Sequence, residues 1–268
     1  MLPLLVEAET LHEHLDEEKL LIIDLCSDEN YQRFHLPGAI HVRPQELISG
    51  IKPATGKLPS LDRLNELFSR IGYSEDLHIV VYDDEGGGWA GRFIWTLDII
   101  GHTSTSYLNG GLIAWANAEL PLTNEVLQPE PTAAKLQIDT RFIAEKTDVM
   151  ASIDDDNILI WDARSPEEYS GTRVVAARGG HVPGAINLDW LELMDPQRQL
   201  RLVTNLAEVI AAKGFDQAES VITHCQTHHR SGLSYLAGKL LGLNISAYHG
   251  SWSEWGNDPD TPIDNPAL

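Results

Sequence analysis

Cysteine is scarce: the 268 residues hold two, Cys26 and Cys225. Two thiols so far apart are no disulfide framework, and they point to a reducing compartment, so a cytoplasmic location is expected. Positive charge is scarce as well. Nineteen Lys and Arg stand against forty Asp and Glu, for a net charge of −21. Such a field repels a phosphate backbone and an anionic membrane surface, which sets nucleic acid and membrane aside as partners. An anionic substrate would then need a locally positive site. Long apolar runs are missing: none reaches the ~18 residues of a membrane span. The opening "MLPLLVEAETLHEHLDEEK" has neither the basic flank nor the apolar stretch of a signal peptide.

What is there is a repeat. Asp24, Ser27, Glu29 and Tyr31 match Asp162, Ser165, Glu167 and Tyr169 at one constant offset. His35 stands four positions after Tyr31 but His181 twelve after Tyr169, so the second copy carries eight extra residues. After them "HLPGAI" (His35 to Ile40) matches "HVPGAI" (His181 to Ile186). Gly91 and Gly101 align with Gly232 and Gly242, and "LNGGLIAW" with "YHGSWSEW". The chain is therefore a tandem duplication. Residues 1–121 form the first domain, 122–137 a polar linker with two prolines, and 138–268 the second domain.

Each copy alternates short apolar runs rich in Ile and Val ("LLIID", "HIVVYD", "ILIWD", "SVITHC") with helical patterns such as "LDRLNELFSRIG". Near-continuous apolar strands separated by helices predict an α/β fold, with a parallel sheet in each domain flanked by helices on both faces. Ligands of such sheets gather beyond the carboxyl ends of the strands. Cys225 sits there, at the head of "CQTHHR", with a helix expected from about Ser231.

A turn wrapped around its first side chain directs successive N–H groups inward, and the following helix adds the positive end of its dipole. With Arg230, and with His228 or His229 when protonated, this setting favours thiolate over thiol and predicts a nucleophilic Cys225. Two rivals are weaker. Zinc needs a second ligand pair, and beyond His224, Cys225, His228 and His229 the domain offers only His249 nearby, so no metal is expected. A cysteine phosphatase uses Cys-x5-Arg, and Cys225 to Arg230 is one residue too short for it. Asp24, Asp162, His35 and His181 recur in both copies, including the one without a nucleophile, and are expected to be structural.

With these residues in view, the chain resembles the tandem-domain rhodaneses, the thiosulfate sulfurtransferases. "YQRFHLPGAIHV" (Tyr31 to Val42) is similar to the family's N-terminal signature, and "AYHGSWSEW" (Ala247 to Trp255) to its C-terminal one, with His249 where an acidic or small residue is usual. The resemblance implies two rhodanese-like domains, the second catalytic and the first lacking the cysteine. Aligned on the glycines, Cys225 falls opposite Asp84 and Arg230 opposite Trp89. The implied activity is transfer of the sulfane sulfur of thiosulfate to cyanide or another thiophilic acceptor, such as a protein thiol, through a persulfide on Cys225. Gln226, Thr227, His228, His229 and Arg230 form the binding loop. No metal or organic cofactor is implied, and a monomer is expected. A 3-mercaptopyruvate donor, or a persulfide carrier serving a protein thiol, is the alternative. The family's substrate-binding arginine is expected just before Tyr169, where this chain has Glu168; Arg164 becomes the candidate in its place. Trp190 is a candidate for the lining of the site.

Overall fold

The computed structural model describes residues 2–268. They fall into two compact units: residues 2–47, 59–139 and 194–202 in the first, and 48–58, 140–193 and 203–268 in the second.

The first unit is built on a five-stranded, all-parallel sheet. Its strands run in the order Leu5–Val6, Thr105–Leu108, His78–Tyr82, Leu20–Asp24, Ala39–His41. The second unit repeats this order with Ile143–Ala144, Ile245–Tyr248, Ser220–His224, Ile158–Asp162 and Ile186–Asn187. Successive strand residues point to opposite faces. Ile79, Val80, Val81 and Tyr82 are nevertheless all buried, as are Val221, Ile222, Thr223 and His224, so both faces of each sheet are covered. That explains the unbroken apolar runs in the sequence. A short antiparallel pair, Met194–Asp195 with Arg201–Leu202, completes the first unit.

The repeated residues do the same work twice. The Asp24 carboxylate accepts the N–H of Cys26, and that of Asp162 accepts the N–H of Arg164, so each turns the chain off the strand it ends. Ser27 and Ser165 then cap the next helix by accepting from Asn30 N and Glu168 N. Tyr31 stacks on His35 with ring centroids 4.0 Å apart, and Tyr169 on His181 at 3.7 Å. Each histidine donates from Nδ1 to its tyrosine's carbonyl, and each tyrosine hydroxyl donates to a carbonyl at the start of the edge strand, Ala39 O, or just before it, Ala185 O. The Pro-Gly that follows supplies Gly38 and Gly184 at φ +82° and +75°. A Cβ there would meet nothing within 4 Å, so glycine is required by backbone geometry rather than by space. The two histidines and two aspartates are thus structural, as the repeat implied.

The stretch 122–137 has little regular structure but is laid along the first unit. Thr123 pairs with His35 in an antiparallel bridge, as Asp264 does with His181 in the second unit. Thr132 N and Ala134 N donate to Ser69, and Leu136 N to Asn65. Among the described residues no helix is long and apolar enough to cross a membrane. Replacing the helix cap by Ser165→Ala should lower stability by about 1 kcal/mol, read as a shift of the urea midpoint with unchanged slope.

Candidate active site

Strand Ser220–His224 ends at Cys225, and helix Arg230–Leu240 begins five residues on. Cys225 is 1% exposed. The turn between them is held from outside by its carbonyls: Trp252 N–H donates to Cys225 O and Ser253 N–H to Gln226 O, both at 2.9 Å. A trans peptide is planar with its N–H opposed to its C=O. Anchoring these two carbonyls outward therefore turns the N–H groups of Gln226 and Thr227 to the other side. Ser251, at φ +53°, accepts the Cys225 N–H on Oγ and donates to Tyr248 O.

Burial pushes the Cys225 thiol up, but it is outweighed. Arg230, the N–H and hydroxyl of Ser231, and His229 together hold the thiol below its ordinary value. Cys26 is the contrast: burial and the carboxylates of Asp24, Asp84 and Asp83 push its thiol far up, into the range of an inert core residue.

The first unit shows what such a turn accommodates. Strand register pairs Asp24 with Tyr82 and Asp162 with His224, so the next residues, Asp83 and Cys225, are equivalent. The glycine-based alignment had placed Asp84 there. The discrepancy lies in the helix, since Gly88–Ile99 has 12 residues and Arg230–Leu240 has 11. On strand register, Arg230 then stands opposite Gly88 rather than Trp89. Asp83 Oδ1 accepts from the N–H groups of Glu85, Gly86 and Gly87 at 3.2, 3.1 and 2.9 Å, and Oδ2 from Ala90 at 3.0 Å. A backbone nest for an anion is thus present in the first unit, filled by the chain's own carboxylate.

The remaining loop residues diverge in role. Arg230 is gripped by Glu168 through two bonds, Nη1 to Oε2 at 2.6 Å and Nη2 to Oε1 at 3.0 Å. Glu168, present where the family pattern led us to expect arginine, orients the cation beside the thiol. His228 is buried at φ +54° with Nδ1 2.7 Å from Ser231 Oγ. His229 is partly exposed, its ring 5.5 Å from that of Trp190. Gln226 directs its amide to Val175 O, in the eight-residue insertion. The histidines do not converge: His249 Nδ1 accepts the Leu58 N–H, and its Nε2 donates to Glu145. Among the described residues no three His, Cys, Asp or Glu side chains form a metal-binding set.

Arg164 requires correction. It is 1% exposed, its Nε and Nη2 are bonded to Asp162, Nη2 also donates to Gly180 O at 2.8 Å, and the guanidinium lies 4.2 Å from the Trp252 ring. Against the upward push of burial, Arg164 and His224 keep the Asp162 carboxyl below its usual range. Arg164 is committed to a buried ion pair and is not presented to substrate. Arg178 is similarly committed, to the carbonyls of Trp255, Asp258 and Thr261. Sequence reasoning missed Ser231 and Ser251. The signal for Ser251 was its place in the repeat, where the first copy has Gly111 at φ +54°.

Two parallel sheets of one topology, one ending in a turn filled by a carboxylate and the other in a turn that opens with a buried cysteine, define a duplicated α/β protein. A model of the rhodanese-like domain matches residues 7–118 and again 145–258, and the chain belongs to that family. It is 45% identical over 98% of its length to a thiosulfate sulfurtransferase of Azotobacter vinelandii, and 47% identical over 98% to one of Pseudomonas aeruginosa, spanning 97% of each. The solved structure of the 3-mercaptopyruvate sulfotransferase SseA from Escherichia coli superposes with a TM-score of 0.81 at 25% identity, over 94% of this chain and 99% of that one.

Two outcomes are expected. Arg164→Met removes the guanidinium from the buried Asp162 carboxylate, leaving it the Arg164 N–H and the His224 ring 3.8 Å away, and should cost about 3–5 kcal/mol in urea unfolding. Iodoacetamide should label Cys225 in preference to Cys26, its rate rising with pH around a midpoint below the ~8.5 of a free thiol, and Arg230→Met should move that midpoint up.

Proposed function

We propose that this protein is a thiosulfate sulfurtransferase with Cys225 as its sulfur carrier. The observation that carries the reading is the cysteine turn: a buried thiol held below its ordinary value by Arg230, Ser231 and His229, at a strand end whose counterpart holds an anion. The Cys225 thiolate attacks the outer sulfur of thiosulfate. A new S–S bond forms as the S–S bond of thiosulfate breaks, and the electron pair leaves with sulfite. The enzyme then carries a persulfide anion, with the same charge as the starting thiolate. Cyanide or a thiolate attacks the terminal sulfur, the enzyme's S–S bond breaks, and the Cys225 thiolate returns. No proton need be taken up or released in either step when cyanide is the acceptor.

The turn lowers the energy of both anions with fixed dipoles that need no reorganisation when charge moves from Sγ to the terminal sulfur. Arg230 supplies the permanent cation, and Glu168 keeps it in place. Gln226 and Thr227 contribute N–H groups, and partly exposed His229 adds charge when protonated. Domain one, with Asp83 where the thiol would be, has no nucleophile and takes no sulfur. The boundaries 1–121 and 138–268 remain our division of the sequence into a first domain without the cysteine and a catalytic second. Two free cysteines agree with a reducing, cytoplasmic setting, and we take the monomer as the working state.

Intact mass after incubation with thiosulfate tests this. The parent should gain about 32 Da, one sulfur, and lose it to cyanide, while Cys225→Ser gains nothing. A parent that gains no sulfur from thiosulfate but does from 3-mercaptopyruvate would reassign the donor. A Cys225→Ser variant that still turns over thiosulfate would refute the nucleophile.

A further inference from the structure

The turn around Cys225 has a third outward carbonyl, to which no backbone N–H donates among the described residues. Thr227 O faces Gly56. A Cβ built on Gly56 would lie 2.0 Å from Thr227 O, 2.5 Å from its carbonyl carbon and 2.8 Å from its Cα. These are backbone atoms, which cannot swing aside as the end of a side chain can. The φ of Gly56 lies outside the left-handed region, so the glycine is needed for this approach and not for its own backbone conformation.

Gly56 belongs to the stretch Ile48–Leu58, which packs in the second unit. That stretch is closed on itself and pinned. Ser49 N donates to Lys57 O, Gly50 N to Thr55 O and Lys57 N to Ala54 O. Immediately after Gly56, Lys57 Nζ bridges Glu145 and Glu254 at 2.9 and 3.0 Å, and Leu58 N donates to His249 Nδ1 at 3.1 Å. His249 in turn donates to the other oxygen of Glu145. A strap fixed at two consecutive residues thus presses Gly56 onto one peptide of the cysteine turn. It also gives a use to His249, the departure in the C-terminal signature.

We propose that Gly56 is a positioning residue for sulfur transfer. By blocking the outward side of the turn, the strap fixes the Thr227–His228 peptide with its carbonyl toward Gly56. Its opposed N–H is thereby kept on the side of Cys225 with those of Gln226 and Thr227. The third donor of the nest is set by packing from the strap, where the first two are set by hydrogen bonds from Trp252 and Ser253. The inference rests on Cys225 as the sulfur carrier.

Gly56→Ala pushes the Thr227 carbonyl away and rotates that peptide. Lys57→Met loosens the strap without filling space. Both are compared with the parent and with Cys225→Ser for the pH profile of Cys225 alkylation, for thiosulfate:cyanide turnover and for melting temperature. Gly56→Ala should move the alkylation midpoint up by about one pH unit, with kcat reduced about ten- to a hundredfold. Lys57→Met should shift both in the same direction by less. A folded Gly56→Ala with the parent's alkylation profile and turnover within about twofold overturns the proposal. If Gly56→Ala does not fold, an unchanged profile in Lys57→Met overturns it equally, and a raised midpoint supports it. Should Cys225→Ser retain turnover, the sulfur-carrier assignment fails instead, a result distinct from either.

Discussion

Negative charge on sulfur persists in a protein interior only where fixed donors replace the water it has lost. Cys225 is 1% exposed, so every other feature of the second unit that matters to function answers to this need. The donors are peptide N–H groups, and a peptide N–H is aimed by holding the carbonyl on its other side. Trp252 and Ser253 therefore matter through their backbones, which grip the carbonyls of Cys225 and Gln226 from the start of a short helix. That helix is carried on strand Ile245–Tyr248, paired beside Ser220–His224, so the grip depends on parallel register between two central strands.

The duplication makes the logic visible. Both units keep Asp at the end of the second strand, Ser at the helix cap, a Tyr–His stack and a left-handed residue opening the last helix. They differ in what fills the turn. In the first unit the Asp83 carboxylate accepts from four N–H donors and so occupies the turn itself. In the second the equivalent position is the Cys225 thiol, which carries no carboxylate to fill the turn. The charge environment diverges accordingly: carboxylates surround Cys26, whereas Arg230 and His229 face Cys225.

Arg164 and Glu168 show how ion pairs divide labour within one strand-to-helix turn. Arg164 is buried against Asp162 and the Trp252 ring, a structural pair whose loss would strand a carboxylate inside the protein. Glu168 instead reaches the first residue of the helix that follows the cysteine turn and holds Arg230 by Nη1 and Nη2. The chain thus keeps an oriented cation beside sulfur in a protein of net charge −21.

Much of this was legible in the order of residues. Tandem repetition, parallel α/β architecture and the singular loop of Cys225 to Arg230 follow from periodicity and self-comparison, because burial on both sheet faces writes itself as unbroken apolar runs. The structural roles of Asp24, Asp162, His35 and His181 followed from their presence in the copy without a nucleophile. What sequence could not decide was partnership across distance. Arg164 and Arg230 are both arginines beside carboxylates, and only packing sends one into the interior with Asp162 and the other to the thiol with Glu168. The one-residue difference in helix length put Asp84 for Asp83. Gly56, far along the chain from Cys225, carries no local mark of its role, since a glycine required by a neighbour's backbone looks like any other until that neighbour is in place.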